Sequence, residues 1–481
     1  MANKRKRAEP NNGTPKEESS VAVTKKAKKA EPFTLQIVAG SYDRVLHGIT
    51  ATITPGEDKA DFADTFLFNA HTSAIRCIAL SPPSAPEPGK GQKVMLATGS
   101  TDERINVFNI SAHPPSQKSK DEQDLLSKIA PRKILENPKN REVGALLHHS
   151  STVTKLAFPT KGKLISASED STIAVTRIRD MTVLSSIKVP IPKQMGRPSG
   201  DTAAMGGAPS GVNDFAVHPS MKLMISVSKG ERSMRLWNLM TAKKAGVLNF
   251  GRDTLAAIGE GRHSSGEGRK IAWEPQAAEE FAVGFDRDIL VFGMDGTPKC
   301  KVMPDSRTKI HEFSYVPLGS KEGDGSLLCV STEDGRIMFF STETNDLSEA
   351  ADDKKTESLS VAQFVAQLGG KAAGIQGRIK DFAVLKPSDD SDELYFTCGS
   401  SDGKIRVFRT SIAELKKAKK VQDKEKKQVG KLLGAYETQN RITCLEAFVM
   451  IPRPDGAEDS EDEFEDVSSS DDDDEDDADE D

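Results

Sequence analysis

No run of apolar residues in this 481-residue chain approaches the roughly 18 that a membrane-spanning helix needs. The opening residues, MANKRKRAEP, are polar and basic, not the apolar core of a secretory leader. Cysteine is scarce: five residues, at 77, 300, 329, 398 and 444, with no CxxC spacing. Four of the five lie in the apolar runs RCIAL, LLCVS, FTCGS and ITCLE. Buried thiols are therefore expected, not disulfides or structural zinc, which suits a reducing compartment. Aromatic residues make up 5% and fall mostly on strand positions, so a base-stacking surface is not expected and any RNA contact would run through phosphates.

Catalytic patterns are missing as well. Of the eight histidines, His148 and His149 are adjacent, but no acid or cysteine follows at metal-ligand spacing. GEGRHSSGEGRK (Gly259 to Lys270) resembles a phosphate loop but lacks Gly-Lys-Ser/Thr and a following helix. No G-x-S-x-G elbow occurs in a strand-to-helix setting. No convergent His/Asp/Glu set is expected at strand ends. The expectation is a chain without a catalytic centre, cofactor or metal.

What is present is polarity of charge. The net charge is −7, yet Asp455 to Asp481 holds 18 acidic residues and no basic one, so the remainder carries +11. A mildly basic body between a basic head and an acidic tail suggests traffic with nucleic acid or its proteins.

A repeat is present too: an alternating apolar run, small residues, a turn and a second alternating run. It reads IVAGSYDRVLHGI, MLATGSTDERINVF, LISASEDSTIAV, MISVSKGERSMRLW, FAVGFDRDILVF, LCVSTEDGRIMFF and YFTCGSSDGKIRVF. The turn residue is Asp43, Asp102, Asp170, Gly230, Asp286, Asp334 and Asp402 in order. Each copy predicts a β-hairpin. Most are preceded by another strand, such as HTSAIRCIALS or GVNDFAVHPS, and by a fourth segment, such as DTFLFNAH. Four short strands make one propeller blade. The opening hairpin (Phe33 to Ile53) lacks its preceding strand, and the closing strand RITCLEAFVM (Arg441 to Met450) lacks its hairpin. Together they complete a ring of seven with no open edge.

The ending MRLWNLM with Trp237, and the polar starts at His71 and His148-His149, resemble WD40 repeats, with Phe108, Phe292, Phe339 and Phe408 near the signature position elsewhere. IVAGSYDRVLHGI, FNAHTSAIRCIAL, LLHHSSTVTKLAF with LISASEDSTIAV, and GVNDFAVHPSMKLMISVSKGERSMRLWNL resemble the WD40 ribosome-biogenesis family. That family is related to the yeast maintenance-of-killer factor and the human p21-activated-kinase-interacting protein. The resemblance implies that His71 and His149 orient Asp102 and Asp170. It also implies an all-β, seven-bladed, non-catalytic scaffold for large (60S) ribosomal subunit assembly in the nucleus and nucleolus. Such a scaffold would dock on pre-60S assembly factors, ribosomal proteins or rRNA phosphates, and be a monomer outside the particle. The alternative it implies is an adaptor that binds and inhibits a p21-activated-type kinase.

The expected domains are a disordered basic tail (1–32), the propeller (33–450) and a disordered acidic tail (451–481). Insertions are expected at 111–142, 190–211, 343–372 and 411–428. Lys4-Arg5-Lys6-Arg7 and Lys25, Lys26, Lys28 and Lys29 suit nuclear import. The segment 411–428 reads as helical, with Ser411 and Glu414 as a capping box. Its Lys416, Lys417, Lys419, Lys420, Lys424, Lys426 and Lys427 are candidate phosphate contacts or simply a solvated face. Ser460, Ser468, Ser469 and Ser470 precede acids and suit an acid-directed kinase.

Overall fold

The computed structural model describes residues 32–83, 91–114, 134–135, 140–192, 210–260, 264–305, 307–319, 324–348, 359–375, 377–388, 390–420 and 427–453. The two candidate import clusters, Lys424, Lys426 and the four candidate tail serines lie outside these residues. Among the described residues no helix is long and apolar enough to cross a membrane.

Alternation of apolar and polar residues produces seven antiparallel four-stranded sheets, the blades of a propeller. Blade 1 joins the closing strand Ile442–Val449 to Phe33–Ser41, Val45–Ile53 and Ala60–Asn69. Blades 2 to 7 follow in chain order and span Ile75 to Leu146, Val153 to Lys188, Val212 to Asn249, Lys270 to Val302, Phe313 to Gly369, and Ile379 to Glu437. The closing strand pairs with the opening one from Leu35↔Val449 to Gly40↔Cys444, as the complementary chain ends require.

The blade boundary differs from the sequence reading in one respect. DTFLFN does not begin the second unit. It lies in Ala60–Asn69, the outermost strand of blade 1, paired Val45↔Asn69 to Ile53↔Ala60. A meander continues outward through each hairpin, so the fourth strand belongs to the blade before it. In the same way 343–372 is not wholly outside the strands. Its apolar part, Gln363–Gly369, is the outer strand of blade 6, with Val365, Ala366 and Leu368 buried. From the 111–142 insertion, Ile134 bridges to Asp64 of blade 1.

No single centre holds the fold together. The described core falls into seven apolar clusters, each at the junction of two neighbouring blades. Val38 and Leu46 of blade 1, for example, pack with Ile75, Ile78 and Leu96 of blade 2. Glycines make the close approach possible. A Cβ on Gly99 would lie 2.7 Å from both Cys77 Sγ and Val153 Cγ1, the latter on the next blade. Gly99→Val is expected to cost about 1–3 kcal/mol through overpacking, read as a lower denaturation midpoint. Gly246→Ala, where the nearest atom is 3.9 Å away, is expected to leave the midpoint in place.

A β-bulge interrupts the pairing of third and outer strands at one equivalent point in all seven blades. The residue just after it is Ile49, Phe108, Thr176, Trp237, Phe292, Phe340 or Phe408. This is the signature-tryptophan position, and in blade 6 it is Phe340, not Phe339.

The 411–428 segment forms a helix over Ile412–Lys420 that buries Ile412, Leu415 and Ala418 against blades 6 and 7. Ser411 Oγ accepts the Glu414 N–H at 3.0 Å. The reciprocal half of the capping box does not form: the Glu414 carboxylate takes the Thr410 hydroxyl (2.9 Å) and the Gly430 N–H (3.4 Å). The acid is drawn sideways by the returning chain.

Candidate functional site

The turn residues divide the structural tetrad of Asp, His, Ser/Thr and Trp among blades. In blade 2, His71 Nδ1 lies 3.1 Å from Asp102 and its Nε2 2.8 Å from Thr98 Oγ1. Asp102 also accepts the Thr72 and Arg104 N–H groups. Burial alone would raise the Asp102 pKa, but the N–H donors and His71 outweigh it and hold the group below its usual range. Blade 3 repeats the plan. His149 sits 3.0 Å from Asp170 and 2.8 Å from Ser166, while Ser150 and Thr172 donate to Asp170. Its neighbour His148 packs against it with the ring planes tilted by 48° and also reaches Ser166 (3.1 Å). Burial and His149 push the His148 pKa down to about 4.

Neither blade carries the tryptophan. Trp237 is in blade 4, where Nε1 donates to Ser226 Oγ at 2.8 Å, and there the turn has Gly230. The other turn acids find different partners. Asp43 accepts the Arg441 N–H (3.3 Å), tying the opening hairpin to the closing strand. Asp286 pairs with Arg269 (3.4 Å) and Lys309 (3.9 Å), Asp334 with Arg336, and Asp402 with Arg406 (2.8 Å). In blades 6 and 7 an arginine thus does what a histidine does in blades 2 and 3.

The described lysines of the 412–420 helix region are partly engaged within the fold. Lys416 faces Asp324 (3.9 Å), Lys419 bridges Glu343 (2.6 Å) and Asp346 (3.1 Å), and Lys427 donates to the Ala418 carbonyl (3.3 Å). Lys417 and Lys420 are exposed.

The channel holds what the sequence reading missed. No convergent His/Asp/Glu set is expected at strand ends, yet the innermost strands, with Glu312 just before one of them, bring Lys155, Asp214, Lys270, Glu312, Asp381 and Glu446 toward one another. Most of these line a cavity of about 1040 Å³. Lys155, Asp214 and Asp381, far apart in the chain, are each the third residue of an inner strand, and no local motif could announce that they meet. Several bridge one blade to the next. Thr443 donates to the Ile75 carbonyl (2.6 Å), Thr154 to Val212 (2.8 Å) and Asn213 to Gly268 (2.8 Å). Asp214 accepts the Ile271 N–H (3.0 Å), and Asp381 accepts the Leu445 N–H (2.8 Å). Lys270 Nζ lies 2.6 Å from Glu312. Burial tends to raise the Glu312 pKa, but Lys270 and Lys155 overcome it and hold the carboxyl below its usual range.

The remaining acids behave differently. Burial, then Glu312, pushes Asp381 up to about 7; burial, then Asp381, pushes Glu446 up to about 8. Both line the cavity and are half-buried. A carboxyl whose pKa is higher folded than unfolded favours folding while it keeps its proton. For Glu446 that contribution is whole below about 4.5 and is lost as pH rises to about 8. Asp381 adds in the same direction between about 4 and about 7. Glu446→Gln is expected to flatten the fall in melting temperature between pH 5 and about 8 and to melt above the parent at about pH 8. Parallel melting curves for the two proteins would contradict it.

The sequence comparisons accord with this architecture. The family model described as WD domain, G-beta repeat matches residues 140–175, which hold the His149–Asp170 pair. The chain is a seven-bladed β-propeller in which one blade matches the WD40 repeat. Protein MAK11 of Saccharomyces cerevisiae is 26% identical over 441 residues, covering 85% of this chain and 82% of MAK11. The p21-activated protein kinase-interacting protein 1 of Homo sapiens is 24% identical over 85% of this chain and 76% of its own length. Its 1-like counterpart in Gallus gallus is 22% identical over 85% and 79%. The inter-blade hydrogen bonds of the channel tie neighbouring blades of this ring together.

Proposed function

We propose that this WD40 propeller is a non-catalytic scaffold in assembly of the large (60S) ribosomal subunit, acting in the nucleus and nucleolus. The observation that carries the reading is similarity to MAK11 along 85% of the chain, taken with the ribosome-biogenesis family that the sequence resembles. The basic head and acidic tail are consistent with work among rRNA and basic proteins. Two import clusters at one terminus supply a route to the nucleus. Docking would use one propeller face against assembly factors, ribosomal proteins or rRNA phosphates.

Three of the four channel acids have partners within the ring, which supports the non-catalytic reading. Asp214 and Asp381 are committed to backbone N–H groups of the next blade, and Glu312 to Lys270. Each therefore closes the ring. Sucrose-gradient sedimentation of the tagged protein tests the scaffold: co-migration with pre-60S particles is expected, and exclusion from those fractions at low salt would remove it. The names of the animal relatives favour a second reading, an adaptor that restrains a p21-activated-type kinase. Direct binding to a purified kinase regulatory domain, with loss of kinase activity, would select that reading instead.

A further inference from the structure

The rim of the channel is unevenly balanced. On the side of blades 3 to 6 the cations have carboxylate partners: Lys229 lies 2.5 Å from Glu169, and Arg269 3.4 Å from Asp286. Across blades 7, 1 and 2 the pattern changes. Lys380, Arg441 and Arg76 occur at the starts of three consecutive inner strands and line the same cavity. Among the described residues none of the three has a carboxylate within ion-pair distance. Lys380 Nζ donates to His311 Nε2 at 3.3 Å, and the Arg441 guanidinium lies over the ring of Tyr42, 5.9 Å from its centroid. Arg76 and Arg441 are exposed, and Tyr42 is 60% exposed.

Two of the three charges, Lys380 and Arg441, act on each other. Burial, then the neighbouring Arg378 and Arg441, holds the Lys380 ammonium below its ordinary pKa. Burial, then Lys380 and Lys309, pushes His311 down to about 4. Deeper in the channel, Glu446 keeps its proton to about 8 and Asp381 is only about half ionised at neutrality, so together they offset this charge in part. Glu333 lies beside this group, 3.6 Å from His311 and 3.4 Å from Arg378, and Asp43 accepts the Arg441 backbone N–H, but neither carboxylate ion-pairs with Arg76, Lys380 or Arg441. Holding cations together short of full pairing costs energy that a bound anion would return. A smaller cleft of about 430 Å³ adjoins the cavity between blades 1 and 2 and shares Tyr42 and Arg76 with it.

We infer that this arc of Arg76, Lys380 and Arg441 is a binding site for an acidic peptide segment of a partner protein that carries a phosphorylated serine or threonine. A phosphoryl group brings about −1.5 to −2 charge and three acceptor oxygens, enough to engage two guanidinium forks and an ammonium together. Tyr42 offers a flat apolar surface to the residue beside it. The carboxylates on the opposite rim select against a single-stranded nucleic acid. A strand with a phosphate at each nucleotide would meet Glu169 and Asp286 on crossing the channel, whereas a peptide can present charge to one side alone. The site is independent of which particle or complex the propeller joins.

Fluorescence anisotropy on the full chain tests it. The probes are fluorescein-labelled Gly-Glu-Asp-pSer-Glu-Asp-Gly, its unphosphorylated counterpart and a fluorescein-labelled 12-nucleotide oligouridine. The phosphopeptide is expected to bind roughly tenfold tighter than the unphosphorylated peptide, and R76A/K380A/R441A to weaken it by at least about tenfold. K244A, on the exposed outer strand of blade 4, serves as the control and is expected to change it less than about twofold. Because the triple variant removes surface cations, its melting curve should match the parent; R76A/R441A, which spares half-buried Lys380, repeats the test if it does not. Equal binding of the phosphopeptide by parent and variants would overturn the proposal. So would oligouridine binding more tightly than phosphopeptide and being lost in the same variants, which would give the arc to nucleic acid. Pre-60S sedimentation is a separate readout, so either reading can fail without the other.

Discussion

A chain ending at Gln439 is expected to lose the whole propeller, not one strand. The deletion removes Ile442–Val449 and bares the edge of Phe33–Ser41. Five residues of that strand (Ile442, Cys444, Leu445, Ala447 and Phe448) are buried, and they contribute to two blade junctions, 7/1 and 1/2. At about 1.5–3 kcal/mol for each fully buried large apolar side chain, their loss rivals the roughly 5–15 kcal/mol that stabilises a typical domain. Asp381 would lose the Leu445 N–H, and the Ile75 carbonyl would lose the Thr443 hydroxyl. The expected result is aggregation on gel filtration and no cooperative thermal transition. A chain ending at Arg453 keeps the strand and should melt as the parent does. If both truncations melted alike, the ring would not depend on this closure.

Asp214→Ala is expected to destabilise by about 3–5 kcal/mol, the range for removing one partner of a buried charge pair. Asp214 is 1% exposed. Burial raises its pKa, and Lys155, 3.9 Å away, opposes that rise. The substitution would leave the Ile271 N–H without its acceptor, free the Phe215 N–H and strand the Lys155 ammonium. Asp214→Asn keeps an acceptor for Ile271 and is expected to recover part of the loss. Urea denaturation of the three proteins measures the order parent, Asn, Ala. Equal midpoints for Ala and parent would show that the blade 4 to blade 5 bridge carries no stability.

The repeat was legible because period-two alternation and turn acids are local signals. Asp102 with His71, and Asp170 with His149, could be paired from their spacing in the WD40 pattern, and the structure brings each pair together. The arginine partners of Asp334 and Asp402 were less visible. An arginine two or four residues on reads in sequence as an ordinary exposed strand residue. The outer strand at Gln363–Gly369 was obscured by the long acidic segment before it, which broke the expected spacing.

The amino-acid order by itself determined the number of blades, the strand alternation, and the complementarity of the two chain ends, since each follows from neighbours within a few residues or from what each end lacks. The tertiary structure alone decided which blade each outer strand joins, how the tetrad is shared among blades, and which charges meet in the channel. Lys155, Asp214, Glu312 and Asp381 are separated by 59, 98 and 69 residues along the chain. Ring closure places them around one channel, on or beside the inner strands of blades 3, 4, 6 and 7, and only there do burial and mutual charge set which acids hold protons and which cations are left facing solvent.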